Sequence, residues 1–179
     1  MPAILAFAGS NSSTSINHQL VVYLTSQLKN TSFELFKLSE MDLEVYSEDA
    51  QRETGFPPSV NQVYKHIQAA EGLIISVNEH NSNPSAFFKN VLDWLSRLDR
   101  KFLEGKKILL LSASTGARGG MSALEVTQKL LPRFGAEIVD TFSFPSFHDN
   151  FSKELGGITH EELKGQLLEK LHQFESHFV

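Results

Sequence analysis

One stretch of sequence decides the fold: residues 72–94 read GLIISVNEHNSNPSAFFKNVLDW. The apolar run at residues 72–77 is short and uncharged, as expected of a strand buried on both faces of a sheet. A polar loop follows at residues 78–83, and the pattern predicts a helix with Asn83 as its N-cap and Pro84 in its first turn. Open α/β sheets bind ligands in such loops, beyond the carboxyl ends of their strands.

The same unit of strand, loop and helix recurs along the chain. Strands are predicted at residues 3–8, 33–38, 72–77, 107–112 and 137–142, and helices at residues 15–28, 60–70, 84–98, 121–134 and 159–178. Thr159 and Glu162 predict a capping box for the last helix, and residues 39–57 an irregular connection. The alternation predicts an α/β fold with a five-stranded parallel sheet and helices on both faces. In the flavodoxin-like strand order 2-1-3-4-5, the loops after strands one, three and four meet.

Composition excludes several classes of function. The chain has 179 residues, 41% of them hydrophobic and 21% charged, which predicts one domain over residues 1–179. A net charge of -5 disfavours nucleic acid as a partner, and no apolar run reaches the roughly 20 residues that span a bilayer. There is no cysteine, so disulfides, thiolate metal sites and thiol catalysis are excluded. With no basic segment before the first apolar run, we expect no signal peptide and a cytoplasmic protein.

The first of the three loops suits an anion. Residues 9–17 read GSNSSTSIN and join a buried strand to the start of a helix. Free backbone N–H groups and the positive end of the helix dipole favour negative charge there. Five hydroxyls and two amides add donors that suit a phosphate monoester, although a serine-rich helix cap is an alternative explanation. The loop is neither a Walker loop nor a Gly-x-Gly-x-x-Gly dinucleotide turn.

The second and third loops are also rich in groups that contact ligands. The second loop, residues 78–83, has six polar residues, whereas a helix cap needs only one. The third loop, residues 112–120, contains three glycines, which let the backbone approach a flat ligand closely. An ordinary strand-to-helix turn is the alternative for the third loop. Three such loops at one sheet edge favour a binding site more strongly than any one of them does.

These motifs resemble those of the NAD(P)H-dependent FMN reductase family of flavodoxin-like proteins, which includes quinone, azo and chromate reductases. The likeness covers nearly the whole chain. The family motif Gly-Ser-x-Arg-x-x-Ser-x-Asn is matched at Gly9, Ser10, Ser15 and Asn17. The pair Pro-Glu-Tyr-Asn and Leu-Lys-Asn-Ala-x-Asp-Trp is matched at Glu79, Asn81, Lys89, Asn90, Asp93 and Trp94. The third-loop motif Ser-x-Gly-x-x-Gly-Gly is matched at Ser114, Gly116, Gly119 and Gly120.

The resemblance implies a flavodoxin-like three-layer sandwich and a reductase that passes hydride from NADPH or NADH through bound FMN to a quinone, free flavin or similar small acceptor. It implies contacts to the FMN phosphate from Ser10, Ser12, Ser15, Ile16 and Asn17. The isoalloxazine ring would lie against Asn78, Glu79, His80 and Asn81, and against Ser114, Thr115, Gly116, Arg118 and Gly119. No side chain is assigned a catalytic role, because the cofactor supplies the chemistry.

Further roles follow from the same resemblance. Arg118 is a candidate contact for the phosphate of the nicotinamide nucleotide, and a solvated arginine is the alternative. Residues 89–94 would serve packing or a subunit contact. The resemblance also implies a homodimer or homotetramer.

Three positions depart from the family pattern. Ser12 replaces an arginine, Asn78 a proline and His80 a tyrosine. Loss of a charge-assisted phosphate bond costs roughly 1.5–3 kcal/mol, or about tenfold to somewhat over a hundredfold in affinity. We expect FMN to bind through hydroxyls and amides instead, and His80 to favour anionic reduced flavin. An FMN-binding electron carrier and a flavin-free regulatory or binding protein remain alternatives.

Overall fold

The computed structural model describes residues 3–179. The strands are β1 Ile4–Ala8, β2 Phe33–Leu35, β3 Gly72–Val77, β4 Glu79–His80, β5 Asn83–Pro84, β6 Lys107–Ala113, β7 Glu137–Phe144, β8 Phe151–Ser152 and β9 Gly157–Ile158. The α-helices are α1 Ile16–Gln27, α2 Glu48–Thr54, α3 Pro58–Ala69, α4 Ala86–Leu98, α5 Met121–Leu130, α6 Phe147–Asn150 and α7 Glu161–Glu175. Short 3-10 turns lie at Leu38–Glu40 and Leu131–Phe134.

Five strands form one parallel sheet in the order β2-β1-β3-β6-β7. Among these five strands the order is 2-1-3-4-5, so the predicted topology is confirmed. In the register of the sheet, Ala8 is paired with Ser76, and Val77 with Ser112. The strands β1, β3 and β6 therefore end together, and the three polar loops leave the sheet from one edge.

Alternate residues of the central strands face two separate cores. Leu5 and Phe7 of β1 pack toward α3, α4 and α5. Ile4 and Ala6 pack toward α1 and α7 on the opposite face. Since helices cover both faces, every residue of β1 and β3 is buried, which explains why these strands are almost wholly apolar.

The start of α4 differs from the prediction. Its N-cap is Ser85, whose Oγ accepts a hydrogen bond from the Phe88 N–H at 3.1 Å, so the predicted cap at Asn83 is wrong. Asn81 and Ser82 have φ values of 52° and 62°, and they reverse the chain. Residues 83–84 then pair antiparallel with residues 79–80. Positive φ at both central residues is typical of tight hairpin turns, and this hairpin delays the helix by two residues.

The bounds of three other elements also differ from the prediction. The connection at residues 39–57 contains α2, which Ser47 caps by accepting the Ala50 N–H at 3.0 Å. The outer strand ends at Leu35 rather than residue 38. His160, not Thr159, caps α7, through Nδ1 and the Leu163 N–H. Thr159 instead donates its N–H to the Asn150 carbonyl, which holds it beside the β8–β9 hairpin.

The family-like segment at residues 89–94 holds the preceding connection in place. The Asn90 side chain accepts the Tyr46 N–H at 2.8 Å and donates to the Glu44 carbonyl at 2.9 Å. Trp94 is fully buried, and its Nε1–H donates to the same carbonyl at 3.0 Å. These contacts support the predicted packing role. No helix in residues 3–179 is long and apolar enough to cross a membrane.

Candidate functional site

The three predicted loops meet at the carboxyl edge of the sheet and are tied to one another. The Gly9 N–H donates to the Ser76 carbonyl at 2.9 Å, and the Ser85 hydroxyl donates to the Gly9 carbonyl at 3.0 Å. These bonds join the first loop to β3 and to the start of α4. The Glu79 carboxylate accepts the Ala123 N–H at 3.0 Å, which joins the second loop to the helix after the third. Hydrogen bonds therefore join the three loops at this edge of the sheet.

Serine hydroxyls of the first loop accept hydrogen bonds from its backbone, and those of Ser10 and Ser15 can still donate their own protons. Ser10 is buried and accepts the Ser12 N–H at 3.2 Å, while the exposed Ser12 accepts the Thr14 N–H at 3.3 Å. Ser15 caps α1 by accepting the His18 N–H at 3.2 Å. Within the described chain, neither the Ser10 nor the Ser15 hydroxyl donates to a protein acceptor. Both are free to donate to an anion.

The backbone at the start of α1 adds further donors. Among residues 3–179, no acceptor is bonded to the N–H groups of Asn11, Ser13, Ile16 and Asn17. The first turn of α1 has no acidic side chain, so nothing there cancels the positive end of the helix dipole. The side chain of Ile16 is partly buried against the core and offers no polar group. Free N–H groups at an uncompensated helix terminus suit a phosphate.

Asn17 has a structural role that the sequence pattern did not reveal. Its side chain is 2% exposed and bridges two strands. Its Oδ1 accepts the Ala113 N–H at 2.9 Å and the Ser76 hydroxyl at 2.7 Å, and its Nδ2 donates to the Ala113 carbonyl at 3.1 Å. Because the amide is buried and bonded inside the protein, a ligand can contact Asn17 only through its backbone N–H.

The second loop presents exposed polar side chains and one buried hydrogen-bond acceptor. His80 and Asn81 lie exposed at the end of the β4–β5 hairpin. Asn78 lies below them, and its Nδ2 is 3.4 Å from His80 Nε2. The Asn78 Oδ1 is buried and, within the described residues, has no hydrogen-bond donor. A buried acceptor without a donor is unfavourable, so a ligand N–H or a water would be stabilising at this atom.

The third loop turns its carbonyl groups inward and leaves its N–H groups free. The carbonyls of Gly116, Arg118 and Gly119 accept from the Ser146 N–H, the Ser143 hydroxyl and the Ser112 hydroxyl at 3.0, 2.8 and 2.7 Å. In the described part of the chain, the four N–H groups of residues 115–118 have no acceptor. Successive free N–H groups form a concave donor surface for electron-rich atoms.

The side chains of the third loop differ in exposure. Ser114 is half-buried and its hydroxyl donates to the Gly116 carbonyl at 3.3 Å, whereas Thr115 and Arg118 are exposed. Arg118 forms no ion pair within residues 3–179. Gly119 has a φ of 60°, and a Cβ there would lie 2.4 Å from the Ser143 hydroxyl. Close packing on β7 thus requires glycine at this position.

A groove beside the first loop contains Lys153, a cationic side chain that the sequence did not connect with this loop. Ser13, Thr14, His18 and Lys153 line this groove of about 420 Å³. Lys153 has no carboxylate partner within the described residues. Burial, and next the charge of Lys37, lower the pKa of His18, so its imidazole is neutral at neutral pH. The positive charge of this groove therefore comes from Lys153.

The fold and the loops define a flavodoxin-like α/β protein in which a helix terminus with free N–H groups lies beside a backbone-lined sheet edge. Residues 2–149 match the family of NADPH-dependent FMN reductases, and the chain belongs to this family.

Individual relatives agree with this assignment. A quinone reductase of Escherichia coli K12 is 39% identical over 79 residues, which is 44% of this chain and 42% of that protein. An NAD(P)H-dependent FMN reductase of Pseudomonas aeruginosa is 36% identical over 88 residues, or 49% of this chain and 46% of that protein. In both matches the chain spans less than half the length of the relative.

Solved structures show the same fold over nearly the full chain. The flavoenzyme NAD(P)H:acceptor oxidoreductase of Paracoccus denitrificans aligns with a TM-score of 0.79 at 21% identity, over 98% of this chain and 96% of that one. An NADH:FMN oxidoreductase in its apo form aligns with a TM-score of 0.76 at 18% identity, over 100% of this chain and 91% of that one. These likenesses establish the fold.

Proposed function

We propose that this protein binds FMN at the edge formed by the three loops and reduces a quinone, free flavin or similar small acceptor with NADH or NADPH. One observation carries the proposal: free N–H groups at the start of α1 and along residues 115–118 lie at the same edge of the sheet. The first set suits a phosphate and the second an electron-rich ring. FMN carries both groups, and the family is one of FMN reductases.

The first loop fits the phosphate end of FMN without the family's arginine. Hydroxyls of Ser10 and Ser15 and the N–H groups of Ile16 and Asn17 are available to donate. Hydrogen bonds from neutral donors are weaker than those from a guanidinium, but several act together here. Lys153 in the adjacent groove adds a positive charge. We therefore assign Ser10, Ser12, Ser15, Ile16 and Asn17 to the phosphate, Ile16 and Asn17 through their backbone.

The second and third loops fit the ring. The N–H groups of residues 115–118 would donate to ring oxygens and nitrogens, and Asn78 Oδ1 would accept from a ring N–H. Ring contacts are accordingly assigned to Asn78, Glu79, His80 and Asn81, and to Ser114, Thr115, Gly116, Arg118 and Gly119. When bound, FMN supplies the two-electron redox chemistry between nicotinamide and acceptor. The protein binds and orients, and its N–H groups stabilise negative charge on the ring.

Arg118 is assigned to the nicotinamide nucleotide. It is exposed on the third loop, and within residues 3–179 it forms no ion pair, so its guanidinium is available to a phosphate. An Arg118→Gln protein whose KM for NADPH rises by a larger factor than its FMN affinity falls would support this role. Equal KM values in the two proteins would refute it.

The proposed activity is tested by one absorbance experiment. The purified protein is incubated with FMN, freed of unbound flavin, and mixed with NADH or NADPH in the presence of a quinone or free FMN. Flavin uptake with steady nicotinamide oxidation is the expected result. Flavin uptake without nicotinamide oxidation would indicate an electron carrier. Absence of flavin uptake at high micromolar FMN would indicate a flavin-free binding or regulatory protein.

We also propose that the protein assembles as a homodimer or homotetramer, which the family resemblance supports. Sedimentation velocity at micromolar concentration measures the assembly directly. A monomer at all concentrations would contradict this proposal and would leave the assignment of the flavin site standing.

A further inference from the structure

Glu79 belongs to the proposed ring site, yet its carboxylate is engaged elsewhere. Oε2 accepts the Ala123 N–H at 3.0 Å, across 44 positions in the sequence. Glu79 lies in the β4–β5 hairpin of the second loop, and Ala123 lies in the first turn of α5, directly after the third loop. One side chain therefore connects the two loops that are proposed to hold the ring.

The first turn of α5 needs a capping group from outside. Its N-cap residue is Gly120, which has a φ of 78° and no side chain to accept a hydrogen bond. A Cβ at Gly120 would lie 3.2 Å from Ser112 Cβ and 3.7 Å from Glu79 Cβ. The usual capping residues serine, threonine, aspartate and asparagine would be both strained and crowded here. Glu79 supplies the missing acceptor.

We propose that Glu79 is a positioning residue, which fixes the third loop against the β4–β5 hairpin and places a negative charge at the start of α5, beside the ring site. The connection between the loops is independent of any ligand, whereas the effect on the flavin rests on the proposed function. The carboxylate offsets the positive end of the α5 dipole. It therefore makes the edge less attractive to the extra electrons of a reduced ring.

Two substitutions separate these effects. Glu79→Ala removes the cap, so residues 115–118 lose their fixed position. If the full free energy of the lost helix cap is subtracted from the free energy of FMN binding, FMN affinity falls by between about twofold and thirtyfold. Glu79→Gln keeps a carbonyl oxygen that can accept the Ala123 N–H, but it removes the charge. FMN affinity then falls less than in Glu79→Ala, and the midpoint potential of the bound flavin shifts to a more positive value.

The first measurement is made on the protein without FMN. Amide hydrogen exchange is followed at Ala123 and at the hydrogen-bonded N–H groups of Gly119 and Met121 in the wild type, Glu79→Ala and Glu79→Gln. Glu125→Ala is the control, since it removes an exposed carboxylate from the same helix. Faster exchange in Glu79→Ala alone, restored by Glu79→Gln, is expected. Exchange in Glu79→Ala equal to that of the wild type would overturn the proposed connection.

The second measurement concerns the flavin. FMN titrations give the affinities, and equilibrium reduction against a reference dye gives the potentials of the wild type and Glu79→Gln. A potential unchanged by Glu79→Gln would overturn the charge effect. This comparison does not need Glu79→Ala, so it can be made even if Glu79→Ala fails to fold. If the wild-type protein takes up no FMN, the proposed function fails, and the exchange experiment still decides whether Glu79 fixes the third loop.

Discussion

Replacing Asn17 by alanine tests whether this residue is a structural bridge. Its amide is 2% exposed and makes three hydrogen bonds, two with the backbone of Ala113 and one with the Ser76 hydroxyl. Asn17→Ala removes the side-chain partner of the Ala113 N–H and carbonyl at the end of β6, where the ladder with β3 stops. The Ser76 hydroxyl, which is fully buried, loses its acceptor as well.

The magnitude follows from those three groups. Each buried polar group left without a partner costs about 1–3 kcal/mol. A water entering the vacated volume would recover part of that loss, so we expect the free energy of unfolding to fall by about 3–4 kcal/mol. A domain of ordinary stability, roughly 5–15 kcal/mol, would remain folded but would unfold at a much lower urea concentration.

Urea unfolding of the protein without FMN measures this change. Asn11→Ala is the matched control, because Asn11 is an exposed asparagine of the same loop, and it should change stability by less than about 0.5 kcal/mol. The slope of the free energy against urea should stay the same in all three proteins. A loss below about 1 kcal/mol in Asn17→Ala would refute the reasoning, because the buried bridge would then contribute no more than an ordinary surface contact.

Three further changes test other parts of the structure. Trp94→Phe removes the hydrogen bond to the Glu44 carbonyl; we expect a loss of about 1–2 kcal/mol in urea unfolding and faster proteolysis at residues 39–57, and unchanged proteolysis would count against the anchoring role. Lys153→Gln should weaken FMN binding severalfold and leave riboflavin binding unchanged, because riboflavin lacks the phosphate; equal effects in two parallel titrations would exclude a phosphate role. Burial raises the pKa of Glu175, but hydrogen bonds from the Asn30 and Lys29 N–H groups outweigh it and hold the pKa below its usual value. The ionised carboxylate therefore stabilises the fold at neutral pH, and this contribution is lost as the pH falls through the lowered pKa. Glu175→Gln should be less stable than the wild type at pH 7 by about 1–2 kcal/mol, and this difference in the free energy of unfolding should shrink in acid. A pH-independent difference would contradict the lowered pKa of Glu175.

The fold was predictable because it depends on patterns within short segments. A strand covered by helices on both faces must be apolar throughout, so β1, β3 and β6 stand out in the sequence. The strand order then brings the loops that follow them to one edge. The place of the candidate site was predictable for this reason.

The partners within the site were not predictable, because they lie far apart in sequence. Asn17 bonds to Ala113, 96 positions away, and Glu79 to Ala123, 44 positions away. Both side chains match a family motif, which suggested ligand contacts rather than bonds inside the protein. The β4–β5 hairpin was missed because Asn81 and Ser82 adopt positive φ, which is usually a signal of glycine.

The central claim is that the three loops form a flavin site that exchanges electrons with a nicotinamide. It is tested most directly by titrating the FMN-free protein with FMN, and then adding NADPH or NADH to the complex without oxygen while recording its absorbance. We predict saturable FMN binding at micromolar concentration or below, followed by bleaching of the visible absorbance of the bound flavin. Absence of FMN binding at high micromolar concentration, or a bound flavin that neither nucleotide bleaches, would contradict the account.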